Sequence, residues 1–191
     1  MWFVCGLGNP GKEYQYTRHN FGFIVLETFA KKNNLHFVFS PELKAEILHY
    51  KDQIFLFKPL TYMNLSGESV KRVFIKFSDK ISIENFLVIY DDLALPLGRF
   101  KILPKGGSSG HKGVQSIINT LNSQNFPRIK LGIGKPKPPI SPKEYVLSPF
   151  TPEEWKIVEK VCDIITKAIE ELPILGITKL MTKYNSIKQV L

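Results

Sequence analysis

Trp2-Phe3-Val4-Cys5-Gly6-Leu7, followed at once by Gly8-Asn9-Pro10-Gly11, is the stretch that decides the fold. A continuous apolar run of strand length, stopped by turn residues, reads as a strand buried on both faces. Such a strand belongs in the middle of a sheet that is covered by helices on either side. After a short polar run the chain reaches Thr17-Arg18-His19-Asn20. From Phe21, apolar residues at 21, 24, 25, 26 and 29 have helical spacing and end near Lys31-Lys32-Asn33-Asn34. Asn20 is expected as the N-cap and the basic last turn as the stop. The strand-to-helix loop therefore carries the carboxamides of Asn9 and Asn20, a guanidinium and an imidazole.

Outward from this unit the same alternation continues. Residues 43–50 and 53–58 predict two strands joined by a tight turn at Lys51-Asp52. Thr61-Tyr62-Met63-Asn64 reads as a polar loop, with Ser66 expected to cap a helix whose inner face is Val70, Val73, Phe74 and Phe77. Residues 86–90 (FLVIY) are a second strongly buried strand, ending on Asp91-Asp92. The carboxyl end of such a strand is where open α/β sheets place groups that face a ligand. A strand over 99–103, a glycine-rich segment over 104–113, a helix over 114–121 and a strand over 128–133 follow. Residues 135–149 hold five prolines and are expected to form an irregular, mobile flap. Thr151-Pro152-Glu153-Glu154 opens a helix to about residue 171, with a shorter one over 178–187. The expected fold is a single α/β domain over 1–191. It is a three-layer α/β/α sandwich on a mixed, mostly parallel twisted sheet, with 151–191 as C-terminal helices.

The chain has 191 residues, with 26 Lys and Arg against 17 Asp and Glu, a net charge of +9. That excess favours a polyanionic partner, nucleic acid before an anionic membrane surface. Cys5 and Cys162 lie far apart in apolar runs, so reduced core thiols in a reducing compartment are expected. The apolar start is too short for a signal peptide, and no run reaches membrane-spanning length. A cytoplasmic protein without a membrane partner is the expectation.

His19 stands at a helix start, where the macrodipole favours the neutral ring that can accept a proton from water. Taken alone a histidine is more often structural, and its polar neighbours are what favour chemistry here. Asp91 would accept from the other ring nitrogen and fix the tautomer, with Asp92 as its rival. No serine sits in a Gly-x-Ser-x-Gly setting and neither cysteine is near a histidine, so an activated water is simpler than a covalent nucleophile. The spacings of His19, His36, His49 and His111 match no metal motif, so neither metal nor other cofactor is expected. Asn9 and Asn64 follow strand-ending turns, where a carboxamide can hold a carbonyl or cap a turn. The loop Gly106–Gly113 is neither a Walker loop nor GxGxxG, but His111 and Lys112 in it can meet sugar or phosphate. Lys101, Lys105, Lys112, Arg128, Lys130, Lys135 and Lys137 form the densest basic region, expected to seat a phosphate backbone.

These residues fall in five blocks: GLGNPGKEYQYTRHNFGF at 6–23, KPLTYMNLSGESV at 58–70, VIYDDLALPLG at 88–98, GGSSGHKG at 106–113 and FPRIKLGIGKP at 126–136. In that order they resemble bacterial-type peptidyl-tRNA hydrolase, from about residue 3 to the C-terminal helix. The resemblance implies cleavage of the ester joining a peptide to the 3′ end of tRNA by a metal-free monomer. The tRNA would engage through its acceptor stem and CCA end. It implies His19 as general base and Asp91 as its orienting acid. Asn9, Asn64 and His111 would bind the peptidyl group and terminal nucleotides, and Tyr14 and Tyr62 complete the substrate set. The chain departs from the family's pattern at Lys112 (often Asn), Ala94 (often an acid) and Leu103 (often basic). Two other readings stay open: a non-catalytic RNA-binding relative of the same fold, and a general esterase or phosphate-ester binder.

Overall fold

The computed structural model describes all residues, 1–191. One seven-stranded sheet has the order β2-β3-β4-β1-β5-β7-β6. Its strands are β1 Trp2–Gly6, β2 Val38–Ser40, β3 Ala45–Tyr50, β4 Ile54–Pro59, β5 Phe86–Asp92, β6 Phe100–Leu103 and β7 Arg128–Gly132. The four central strands pair in parallel, β4 with β1, β1 with β5 and β5 with β7. The outer pairings β2–β3, β3–β4 and β6–β7 are antiparallel. The apolar run at the N-terminus is thus a central strand, hydrogen-bonded on both sides.

Helices α1 Phe21–Lys32 and α5 Pro152–Asn185 cover one face, and α2 Ser66–Lys76 and α3 Lys112–Leu121 cover the other. The strand alternation divides the core. Val4, Leu87 and Ile89 face α1 and α5, whereas Phe3, Cys5, Val88 and Tyr90 face α2 and α3. The three-layer sandwich follows, because each central strand is apolar on both faces. Asp91 and Asp92 extend this alternation past the end of the core, so their side chains leave on opposite faces.

Several local expectations change. The tight turn at Lys51-Asp52 is present, both residues having left-handed φ of 48° and 50°. The predicted strand 43–50 starts at Ala45, and a short edge strand, β2, pairs with it. Asn20 occupies the N-cap position of α1, but its side chain makes no capping bond. Ser66 does not cap α2 either: it is the first helical residue, and its hydroxyl donates to the Met63 carbonyl. The segment 135–149 contains a helix, α4 Pro142–Val146, whose Ser141 and Glu144 form a reciprocal capping box. The two C-terminal helices meet without a loop inside α5, broken at Gly176 with φ 67°.

Helix α1 lies close against the strands that carry the site. A Cβ on Gly22 would stand 2.3 Å from the Ile89 carbonyl oxygen and 2.5 Å from the Leu7 nitrogen. Both obstacles are backbone, so neither can rotate away. Gly22→Ala is therefore expected to destabilise by about 1–3 kcal/mol, the usual cost of overpacking. At roughly 2–4 °C per kcal/mol the loss is visible in thermal unfolding. An unchanged midpoint would contradict this contact.

Candidate functional site

Asn9 sits just beyond β1, and Asn20 is its partner. The Asn9 N–H donates to Asn20 Oδ1 at 2.9 Å, and Asn20 Nδ2 donates to the Asn9 carbonyl at 2.9 Å. One carboxamide thus satisfies both backbone groups of a buried turn, which is why it does not cap α1. The Asn9 side chain is oriented in turn. Its Oδ1 accepts from the Met63 N–H at 2.8 Å, so Nδ2 is the free end, and the residue lines a cavity.

That cavity, of about 740 Å³, opens at the carboxyl end of the parallel strands. His19, Asp91 and His111 meet on its wall, from a 3₁₀ turn at Arg18–Asn20, the end of β5 and the residue before α3. His19 Nδ1 lies 3.0 and 2.9 Å from the two Asp91 oxygens. A carboxylate only accepts, so Nδ1 carries the proton and Nε2 is left with its lone pair. His19 Nε2 has no partner within the protein. His111 Nε2 lies 2.9 Å from Asp91 Oδ1, and its Nδ1 accepts from the Val114 N–H at 3.3 Å.

Asp91 is desolvated, its side chain only 2% exposed. Burial alone would raise its pKa, but the two facing histidines overcome burial and hold it well below the usual carboxylate range. Asp92, the rival, is committed elsewhere: it pairs with Lys130 at 2.9 Å and accepts from the Ala94 N–H at 2.7 Å. One donor set of the type a metal uses exists, with ligand atoms of His19, Asp91 and His111 within 4.8 Å of one another. No sequence spacing could reveal it, because three separate elements supply it. Each facing nitrogen is at N–H···O distance from the carboxylate, so these groups satisfy one another without an ion.

The other expected residues scatter. Tyr62, Asn64 and Lys112 line the cavity, the first two exposed on its rim. Tyr14 stands in a separate 3₁₀ turn, Lys12–Tyr14, away from the cavity lining. Lys105 is exposed beyond the rim. Arg128 departs from the expected basic rim: it is fully buried and donates to the Gly107, Gln124 and Phe126 carbonyls. A guanidinium spent on three carbonyls braces the glycine-rich loop and does not meet phosphate. Lys130 is held by Asp92. The exposed lysines at the cavity are instead Lys112, Lys135 and Lys143, none of them in an ion pair.

Sequence reading passed over Arg18. Its guanidinium is buried, donates to Ser148 Oγ at 2.8 Å and Glu154 Oε2 at 2.6 Å, and also donates to the Pro149 carbonyl. It lies 4.4 Å from the Tyr145 ring centroid. Backbone bonds Arg18 N–H to Ser148 carbonyl (3.1 Å) and Phe150 N–H to Tyr16 carbonyl (3.2 Å) run alongside. Arg18 therefore joins the turn that carries His19 to the segment whose Val146 and Leu147 line the same cavity. The signal available was its adjacency to His19.

Because Asp91 titrates lower in the folded protein than in the unfolded chain, its contribution to stability is full above its unfolded value. That contribution is lost as pH falls below about 4, the ordinary Asp value. Urea unfolding from pH 7 toward pH 3 is expected to show a steeper acid loss for the wild type than for Asp91→Asn. Equal slopes would mean that the histidines do not stabilise the carboxylate.

The chain is similar to known proteins over nearly its whole length. A family model described as peptidyl-tRNA hydrolase matches residues 3–190. A peptidyl-tRNA hydrolase of Clostridium acetobutylicum is 41% identical over 194 residues, covering 98% of this chain and 100% of the relative. That of Aquifex aeolicus is 46% identical over 170 residues, covering 87% and 85%. The crystal structure of peptidyl-tRNA hydrolase from Acinetobacter baumannii superposes with a TM-score of 0.89 at 29% identity, covering 98% and 96%. With model and relatives matched over nearly their whole length, the chain belongs to the peptidyl-tRNA hydrolase family.

Proposed function

We propose that this protein hydrolyses peptidyl-tRNA, cleaving the ester between the peptide and the 3′ end of the tRNA and releasing both. The observation that carries the reading is one imidazole with two different ends. His19 Nδ1 is committed to a buried carboxylate at 2.9 Å, and Nε2 stands free at a cavity large enough for a peptidyl-adenosine end. In that arrangement Nε2 takes a proton from water, and the hydroxide attacks the ester carbonyl. Asp91 holds the ring and stabilises the imidazolium that forms. Asn9 Nδ2, locked by the Met63 and Asn20 contacts, is the donor placed for the oxyanion, with Asn64 on the rim as its companion. The His19 imidazolium gives its proton to the ribose oxygen, which leaves with the tRNA.

Substrate choice has a physical basis in the same donors. A peptidyl group presents an amide carbonyl to a carboxamide, whereas a free aminoacyl group presents an ammonium. Sites built to hydrogen-bond a group reject analogues lacking it by as much as about 10⁴–10⁵. Lys112, Lys135 and Lys143, exposed at the cavity, are suited to the phosphates of the CCA end, with Lys105 further out toward the acceptor stem. We assign the activity to one domain over 1–191, acting as a cytoplasmic monomer, with 135–149 as the movable wall. No helix is long and apolar enough to cross a membrane.

Release of N-acetyl-amino acid from charged tRNA tests the reading. His19→Ala is expected to lose about 10²–10⁴-fold in turnover, the usual contribution of a positioned base, while tRNA binding survives. Equal turnover in that variant would sink the base assignment. Lys143→Ala is expected to weaken tRNA binding and lower the salt slope by about one, as for one lost phosphate contact. An unchanged slope would remove Lys143 from the tRNA surface.

A further inference from the structure

His111 has no hydrogen-bonding capacity left for a substrate. A neutral imidazole offers one donor and one acceptor. The Val114 N–H can only donate, so His111 Nδ1 is the acceptor, at 3.3 Å. The ring proton is then on Nε2, aimed at Asp91 Oδ1 at 2.9 Å. Both ends are spent on the protein itself. Two rings pack close against it, Tyr90 and His19, each at 4.9 Å between centroids. Only 8% of the side chain is exposed.

Asp91, by contrast, needs this donor. Its Oδ2 accepts from His19, and its Oδ1 is shared between His19 and His111. A buried carboxylate held by one imidazole alone is free to turn about its Cβ–Cγ bond and to carry His19 with it. A second, fixed donor on the other oxygen removes that freedom. His111 is itself fixed, because its Nδ1 caps α3.

We propose that His111 is a positioning residue for the reaction: its Nε2–H tethers Asp91 in the orientation that accepts from His19 Nδ1. This rests on the reading of His19 as the base. It differs from a role in holding the peptidyl group or nucleotides, since a tether acts on kcat and a substrate contact acts on KM.

Two substitutions separate the ring's two ends. His111→Asn puts a carboxamide oxygen where Nδ1 caps the helix, and Asn is a preferred N-cap, but it is too short to donate to Asp91. His111→Gln places an N–H near the position of Nε2 and gives up the cap. With N-acetyl-aminoacyl-tRNA, His111→Asn is expected to keep its thermal midpoint and its KM. Its kcat should fall by roughly 10- to 100-fold, the scale of a misplaced reacting group. His111→Gln is expected to recover most of that kcat while its midpoint drops by about 2–4 °C for the lost cap. The ring N–H proton signal of His19 in NMR spectra should persist in wild type and His111→Gln and broaden in His111→Asn. A raised KM with kcat intact in His111→Asn, or equal kcat losses in both variants, would overturn the tether. If the wild type released no peptide, the functional reading would fail, and the His19 signal alone would decide the tether.

Discussion

A carboxylate removed from water at the end of a buried strand is the constraint on which the site depends. Asp91 must find donors or be neutralised, and the cost of an unpaired buried charge is large. The two donors present are imidazoles from opposite sides of the sheet, one before α1 and one before α3. Each histidine is thereby oriented by the same group. Ion pairing with a lysine, as at Asp92, would have neutralised the charge but oriented no ring. The alternation of β5 decides which acid receives which partner: Asp91 leaves on the His19 face and Asp92 on that of Lys130.

The backbone around this carboxylate is held by carboxamides and by close packing. Asn20 spends its side chain on Asn9, and Asn9 spends its oxygen on Met63, so both ends of the strand-to-helix loop and the turn before α2 are fixed by neutral hydrogen bonds. Neutral groups suit this task, because they leave the local field to Asp91 and the histidines. Gly22 lets α1 approach β1 and β5 closely enough for the turn before it to reach the strand ends. A strand-to-helix loop of this kind is thus rigid where it touches the sheet and open where Asn9 Nδ2 and His19 Nε2 face the cavity.

Much of this was legible in the sequence, for identifiable reasons. The buried strands at 2–6 and 86–92 are long apolar runs with hard stops, and α1 begins and ends where its periodicity does. The helix α4 was hidden by five prolines, although Ser141-Pro142-Lys143-Glu144 has the same pattern as the legible start Thr151-Pro152-Glu153-Glu154. The fate of the basic residues was not legible, because charge says nothing about burial. Arg128 alternates with apolar Ile129 and Leu131 on a central strand, and its guanidinium folds back onto loop carbonyls. The convergence of His111 on Asp91 was likewise invisible, since it depends on how α3 sits against β5.

Arg18 links the turn that carries His19 to the cavity as a whole. A lysine is a point charge on a flexible stem, whereas a guanidinium bonds several acceptors in fixed directions and stacks on an aromatic face. Arg18 uses all of this, on Ser148, Pro149, Glu154 and Tyr145. Glu154 also receives the Thr151 N–H at 2.8 Å, so the start of α5 is part of the same joint. The same Tyr145 also donates its hydroxyl to the Ile133 carbonyl at 2.6 Å, tying α4 to the residue just past β7. The segment expected to be a loose flap is therefore pinned where it meets the turn that carries His19, and the stretch before α4 remains open to solvent. Val146 and Leu147, which line the cavity, are thereby held in a fixed place relative to the turn that carries His19.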